Sequence, residues 1–195
     1  KGIQKRVCFH SREIRGRKDA FNPDIIDYKS FVADLSQLMA AIPMCIYASH
    51  IDKERHVNQY IHPIEPYDLC MTFVLERILR DLPVNQNCVI ILESRGAKED
   101  RAVLDFIKGL IDNGTRFHPA SHFSRIKGVY FNPKWCKAAD DRMSYWELEL
   151  ADLCAYPIQK FFVYGAMDLA FQVILPKLSH YPDHMGKGLK SFPIT

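Results

Sequence analysis

NCVIIL, residues 87–92, is an unbroken apolar run closed by Glu93-Ser94-Arg95-Gly96. A run of that length, rich in β-branched residues and ended by a turn signal, reads as a strand. Continuous rather than alternating apolarity marks a strand covered on both faces by helices. The flanks agree. Upstream, Pro66 to Leu82 carries Leu69, Phe73, Leu75, Ile78 and Leu79 at helical spacing, with Pro at the start. Downstream, Lys98 to Asp112 is a second amphipathic helix, stopped by Asn113-Gly114.

The same reading extends outward. Asp24 to Ile42 is a helix ended by Pro43, and Met44 to Ser49 is a strand. Phe123 to Phe131 is a strand, and Ser144 to Tyr164 is a helix that Pro157 should kink or divide. Met167 to Leu178 forms a last helix before a short strand at Leu189 to Phe192. Arg6 to Ser11 reads as a strand leading into a charged loop, Arg12 to Asp19. Helices and strands alternate, which predicts an α/β fold with part of its sheet parallel. No repeat or linker interrupts the chain, so one domain over 1–195 is expected.

Composition narrows the function classes. The chain has 195 residues, 48% hydrophobic and 25% charged, enough for a substantial core. A net charge of +3, from 26 basic and 23 acidic residues, permits a nucleic-acid partner without requiring one. No apolar run approaches the ~18 residues of a membrane span, and no signal-peptide pattern opens the chain. Six cysteines are scattered with no Cys-x-x-Cys pair. That usage predicts buried free thiols in a reducing, cytoplasmic setting.

Two carboxylates stand out. Glu93 sits at the carboxyl end of the apolar strand, where open α/β sheets bind ligands. The plain alternative is a solvated turn residue. Asp152 is the only charged residue between Leu150 and Ile158, and burying it is costly unless something pairs with it. Glu149, three residues earlier, shares its helical face. Two such carboxylates raise each other's pKa unless a cation lies between them. The alternative for Asp152 is a carboxylate held by backbone or Arg hydrogen bonds. Arg12, Arg15, Arg17 and Lys18, beside His10 and Ser11, could contact phosphates or form an ordinary solvated loop. His118 and His122 have i, i+4 spacing, but Pro119 argues against a helix and no Glu-bearing zinc signature accompanies them.

Four segments in order, FHSREIRGRKDAF, VIILESRG, ELELADLCAY and KGLKSFP, resemble a bacterial family named as a domain of unknown function, number 3800. The resemblance covers nearly the whole chain. It implies a ribonuclease H-like mixed sheet flanked by helices, and a metal-dependent nuclease using Mg²⁺ or Mn²⁺. By resemblance, Glu93 matches the central-strand acid, Asp152 the helix acid, and His10-Ser11-Arg12 the family's His-Ser-Arg segment. Glu93, Asp152 and Glu149 would hold metal, with Glu93 and Asp152 catalytic. His10, Ser11, Arg12, Arg15 and Arg95 would contact a DNA or RNA substrate. The family pattern opens on an Asp-Glu-Ser-Gly strand, and none precedes Lys1. The expectation is therefore either a natural N-terminus further upstream or a non-catalytic module that binds nucleic acid or protein on the same scaffold.

The physical case for the nuclease is electrostatic. Two divalent ions about 4 Å apart repel by about 17 kcal/mol at an effective dielectric near 20. Only a cluster of anions can assemble such a pair, in which one ion activates water and the other steadies the leaving oxygen.

Overall fold

A computed structural model describes residues 7–132 and 145–193. The expectations attached to Arg6, Cys136 and Ser144 fall outside them. The described chain is mixed α/β and packs as two compact units. Among the described residues, one comprises 7–44 with 132 and 145–177, and the other 45–131 with 178–193.

The first unit is helical. It contains α1 (Ser11–Gly16), α2 (Tyr28–Ala41), α7 (Trp146–Tyr164) and α8 (Leu169–Ile174). The strand expected over Arg6 to Ser11 is absent in its described part, and the expected charged loop begins instead as α1. Ile14 explains the change, because a helix turns this one apolar residue of the segment inward to a buried position. α2 begins at Tyr28 rather than Asp24, since the Asp27 carboxylate accepts from the N–H groups of Lys29 and Ser30. Pro157 does not end α7. It and Ile158 are buried, so packing offsets the hydrogen bond that proline removes. The chain turns at Gly165 (φ 65°), a left-handed cap suited to glycine.

The second unit carries β1 (Ala48–Ile51), α3 (Lys53–Gln59), α4 (Pro66–Asp81), β2 (Cys88–Glu93), α5 (Ala97–Asn113), α6 (Ala120–Phe123), β3 (from Ile126) and β4 (Leu189–Phe192). The strands form two two-stranded sheets, β1 with β4 and β2 with β3. β1 and β4 are parallel, with Ala48 opposite Leu189 and Ile51 opposite Phe192. The strand expected at Met44 to Ser49 lies further along, and Ile46 makes only an isolated bridge to Leu178. The expected strand from Phe123 starts at Ile126, because Ala120–Phe123 closes a helical turn that buries Phe123 completely.

Leu75 and Leu79 of α4, Ile107 and Leu110 of α5, Phe123 and Ile126 form the core of this unit. Each such side chain contributes about 1.5–3 kcal/mol by leaving water. β2 packs Ile90 and Leu92 against that core, yet Val89 is 53% exposed. The double coverage expected for NCVIIL is not observed among the described residues, where β2 has one strand partner, β3. No single helix among the described residues is long and apolar enough to cross a membrane.

Candidate functional site

α7 places Glu149 and Asp152 on one face, three residues apart. Both meet the segment that leads into α1. Glu149 Oε2 accepts the backbone N–H of Phe9 at 2.8 Å, and Asp152 Oδ2 accepts that of Ser11 at 2.8 Å. Ser11 is the first residue of α1, and the His10 side chain makes no capping bond. Asp152 thus does from another helix what an N-cap side chain does locally, satisfying a donor at the positive end of the peptide dipoles. Glu149 is buried, so its carboxylate would be costly without such a donor. The imidazole of His10 stands 3.6 Å from Asp152 Oδ2 through Nδ1.

The basic residues of α1 and its exit are held to different degrees. The Arg15 guanidinium lies 3.3 Å from the centroid of the Tyr156 ring, and its Nε donates to the Ser11 carbonyl at 3.1 Å. Arg17 occupies the left-handed region (φ 50°) and lies 4.9 Å from the Tyr28 ring centroid. The Tyr28 hydroxyl donates to the Ile14 carbonyl at 3.0 Å, tying α2 to α1. Arg12, Arg15, Arg17 and Lys18 are all exposed. Beneath α1 lies a mostly apolar pocket of about 180 Å³, lined by Ile14, Arg15, Leu35, Met39, Tyr156 and Val173 among others.

Glu93 and Arg95 belong to the second unit. Glu93 ends β2 and is exposed, as a residue at a strand's carboxyl end should be. The following turn is organised by Asp100, in the first turns of α5. Its carboxylate accepts the Ser94 hydroxyl at 2.6 Å and the Arg95 N–H at 2.9 Å. Those bonds, the Ser94 hydroxyl first, hold the Asp100 carboxyl below its usual range. The Arg95 guanidinium lies 5.7 Å from the Tyr67 ring centroid.

Sequence reasoning misses Asp100 and Asp81. A signal for Asp100 exists, as an acid a few residues past a strand-ending turn. Asp81 closes α4, where a negative charge opposes the helix dipole, and only the fold shows what it does. Its Oδ2 accepts from Tyr47 at 3.0 Å and Ser179 at 3.1 Å and lies 2.9 Å from His180 Nε2, while Oδ1 accepts from Arg80 at 2.8 Å. Burial raises its carboxyl, but the hydrogen bonds from Arg80, Tyr47, His180 and Ser179 outweigh it and hold the pKa well below the carboxylate range. Tyr47 is pushed up to about 12, by burial first, with the Asp81 charge adding to it. His118 and His122 do stack, with ring centroids 4.4 Å apart, and His122 Nε2 lies 3.3 Å from the Glu76 carbonyl.

Among the described residues, no three His, Cys, Asp or Glu side chains gather as a metal ion would require. Glu149 and Asp152 each commit one oxygen to a backbone N–H. Compared with family models, curated proteins and solved structures, the chain matches none.

Proposed function

We propose that the protein binds nucleic acid through its phosphate backbone, with the segment from His10 to Lys18 as the contacting element. One observation carries the reading: Glu149 and Asp152, about 140 positions away in sequence, grip the main chain at Phe9 and Ser11. A segment anchored in this way presents Arg12, Arg17 and Lys18 from a fixed frame, which lowers the ordering cost of each phosphate contact. The overall charge of +3 is modest, so this local cluster has to supply the attraction. A ribonuclease H-like scaffold is the fold we assign to this binding module.

The test is a titration of labelled DNA and RNA, single-stranded and duplex, at several salt concentrations in EDTA. Binding that weakens with salt, and weakens further when Arg12, Arg17 and Lys18 are replaced by Ala, is expected. Binding indifferent to those residues would overturn the reading.

The metal-dependent nuclease is the second reading, with Asp152 and Glu149 among its acids and Mg²⁺ or Mn²⁺ as cofactor. One observation favours it: the His-Ser-Arg and Ala-Asp-Leu segments, which carry the family resemblance, meet at the Ser11–Asp152 bond. Cleavage of the same substrates that needs Mn²⁺ and is lost in Asp152→Asn would establish it. Binding without cleavage would leave the binding module.

A further inference from the structure

Four helices of the first unit enclose the pocket of about 180 Å³ beneath α1. Ile14 of α1, Met39 of α2, Pro157 of α7 and Ile174 of α8 are buried and line it. An apolar cavity of about 150 Å³ takes up benzene, so a space of this size and lining accommodates an apolar body of about six to eight carbons. Pockets of this composition between packed helices are where small ligands bind. The hydroxyls that line it are already engaged. Ser36 donates to the Val32 carbonyl at 2.8 Å, Tyr28 donates to the Ile14 carbonyl at 3.0 Å, and Ser11 Oγ accepts from Arg15 Nε at 3.4 Å. A polar group pushed into this interior, the edge of a nucleobase included, would lose its water partners without replacement.

Arg15 is the exception. Among the described residues that line the pocket it is the one with a charge, and its exposure places it at the mouth. Its position is fixed from two sides. The guanidinium lies 3.3 Å from the ring centroid of Tyr156, which also lines the pocket, and Nε donates to the Ser11 carbonyl at 3.1 Å. Its bonds to Ser11 use Nε alone, and Nη1 and Nη2 donate to no acceptor among the described residues. Lys160 of α7, close enough to feel the Arg15 charge, is already paired with Asp168 at 2.8 Å. An apolar interior therefore opens onto one positive charge with a fork of donors to spare, and no acid among the described lining residues offsets it.

We propose that this pocket binds a small aliphatic monocarboxylate, with its chain among the four helices and its carboxylate on Nη1 and Nη2 of Arg15. The planar guanidinium matches a carboxylate through two parallel hydrogen bonds. A phosphate monoester brings nearly two charges and three acceptor oxygens, more than one guanidinium can match. An uncharged ligand would forgo the mouth altogether. The size of the interior limits the chain to about six to eight carbons, which selects a free short-chain acid over the tail of a membrane lipid. The site stands apart from the nucleic-acid reading, whose contacts are Arg12, Arg17 and Lys18.

The experiment titrates octanoate into the full chain by calorimetry, with octanamide as its uncharged counterpart. Octanoate should bind about tenfold tighter or more, the difference that hydrogen bonds between charged groups make. From butanoate to octanoate the affinity should rise about fourfold per methylene, then level off by dodecanoate, whose chain outgrows the pocket. In spectra of methyl-labelled protein, octanoate should shift Ile14, Leu35 and Val173 and leave Ile90 and Leu92 of the second unit unmoved. In Arg15→Gln the preference for octanoate over octanamide should vanish while octanamide binds as before. Val173→Trp, which fills the pocket, should weaken both ligands by about tenfold or more, with circular dichroism confirming that the variant is folded. Absence of octanoate binding, equal affinity for octanoate and octanamide, or binding undiminished in folded Val173→Trp would overturn the proposal. So would methyl shifts confined to the second unit, or an affinity that keeps climbing through dodecanoate, the mark of adsorption to an open surface.

Discussion

Asp152 Oδ2 accepts the backbone N–H of Ser11 at 2.8 Å, across 141 positions of sequence. This bond answers why one acid stands in the otherwise apolar stretch of α7 from Leu150 to Ile158. It terminates another helix, and with Glu149 on Phe9 it fixes the start of the basic segment.

Asp152→Ala should destabilise the first unit by about 1 kcal/mol, the usual loss when a helix N-terminal donor loses its acceptor. Asp152→Asn keeps an acceptor oxygen and should cost only a few tenths. Chemical denaturation gives both values, and hydrogen exchange should show the Ser11 amide opening faster in the alanine variant. Equal stability of wild type and Ala variant would mean that the bond contributes nothing.

The arginines of α1 should separate by role. Arg12, Arg15, Arg17 and Lys18 are all exposed, but Arg15 is also stacked on Tyr156 at 3.3 Å and bonded to Ser11. Each of Arg12, Arg17 and Lys18 that touches a phosphate should, when replaced by Ala, reduce the slope of log K against log salt by roughly 0.7–0.9. Arg15→Ala should instead lower the melting temperature, because it removes a cation–π interaction and a main-chain tie together. A slope unchanged in the Arg12/Arg17/Lys18 variant would place those residues in ordinary solvent.

Asp81 sets an acid limit on the second unit. Its folded carboxyl lies below the unfolded value near ~3.9, so its contribution is complete above that value. It is lost as pH falls through the folded value. Asp81→Asn should cost about 2 kcal/mol at neutral pH, since several donors lose a charged acceptor. Wild type and variant should converge as the pH is lowered below about 4. Denaturation midpoints across that range decide it, and a constant gap would refute the assignment.

Cysteine labelling should follow burial. The Cys154 thiol is pushed up to about 11, by burial first and with Lys177 opposing, and it is buried in α7. Cys45 is exposed. Native-state alkylation mapped by mass spectrometry should modify Cys45 first and reach Cys154 only on unfolding. Early modification of Cys154 would show that α7 opens locally.

Helix limits set by local chemistry are legible in the residues themselves. α4 begins at Pro66 behind Glu65, whose carboxylate accepts from the Tyr67 and Asp68 N–H groups, and α5 stops at Gly114 (φ 73°). Capping and periodicity act within a few residues, so the sequence carries them openly. The final strand at Leu189–Phe192 is equally plain. The prominence of Asp152, Glu149 and the His10 to Lys18 run is also visible in the residues.

The amino-acid order alone thus establishes the mixed α/β class, the long helices and the odd placement of a few charges. What those charges touch is settled only by packing. Whether Asp152 faces an ion or an N–H depends on a segment 141 positions away, and no local pattern encodes that pairing. The same holds for NCVIIL, which reads as doubly buried because apolarity reports only an average environment. Among the described residues β2 pairs with β3 alone, and strand pairing is a long-range choice settled by how α4 and α5 pack. Asp81 makes the point most sharply. By local rules its charge opposes the dipole of its own helix, and it is stabilised there only because folding brings Tyr47, Ser179 and His180 to it.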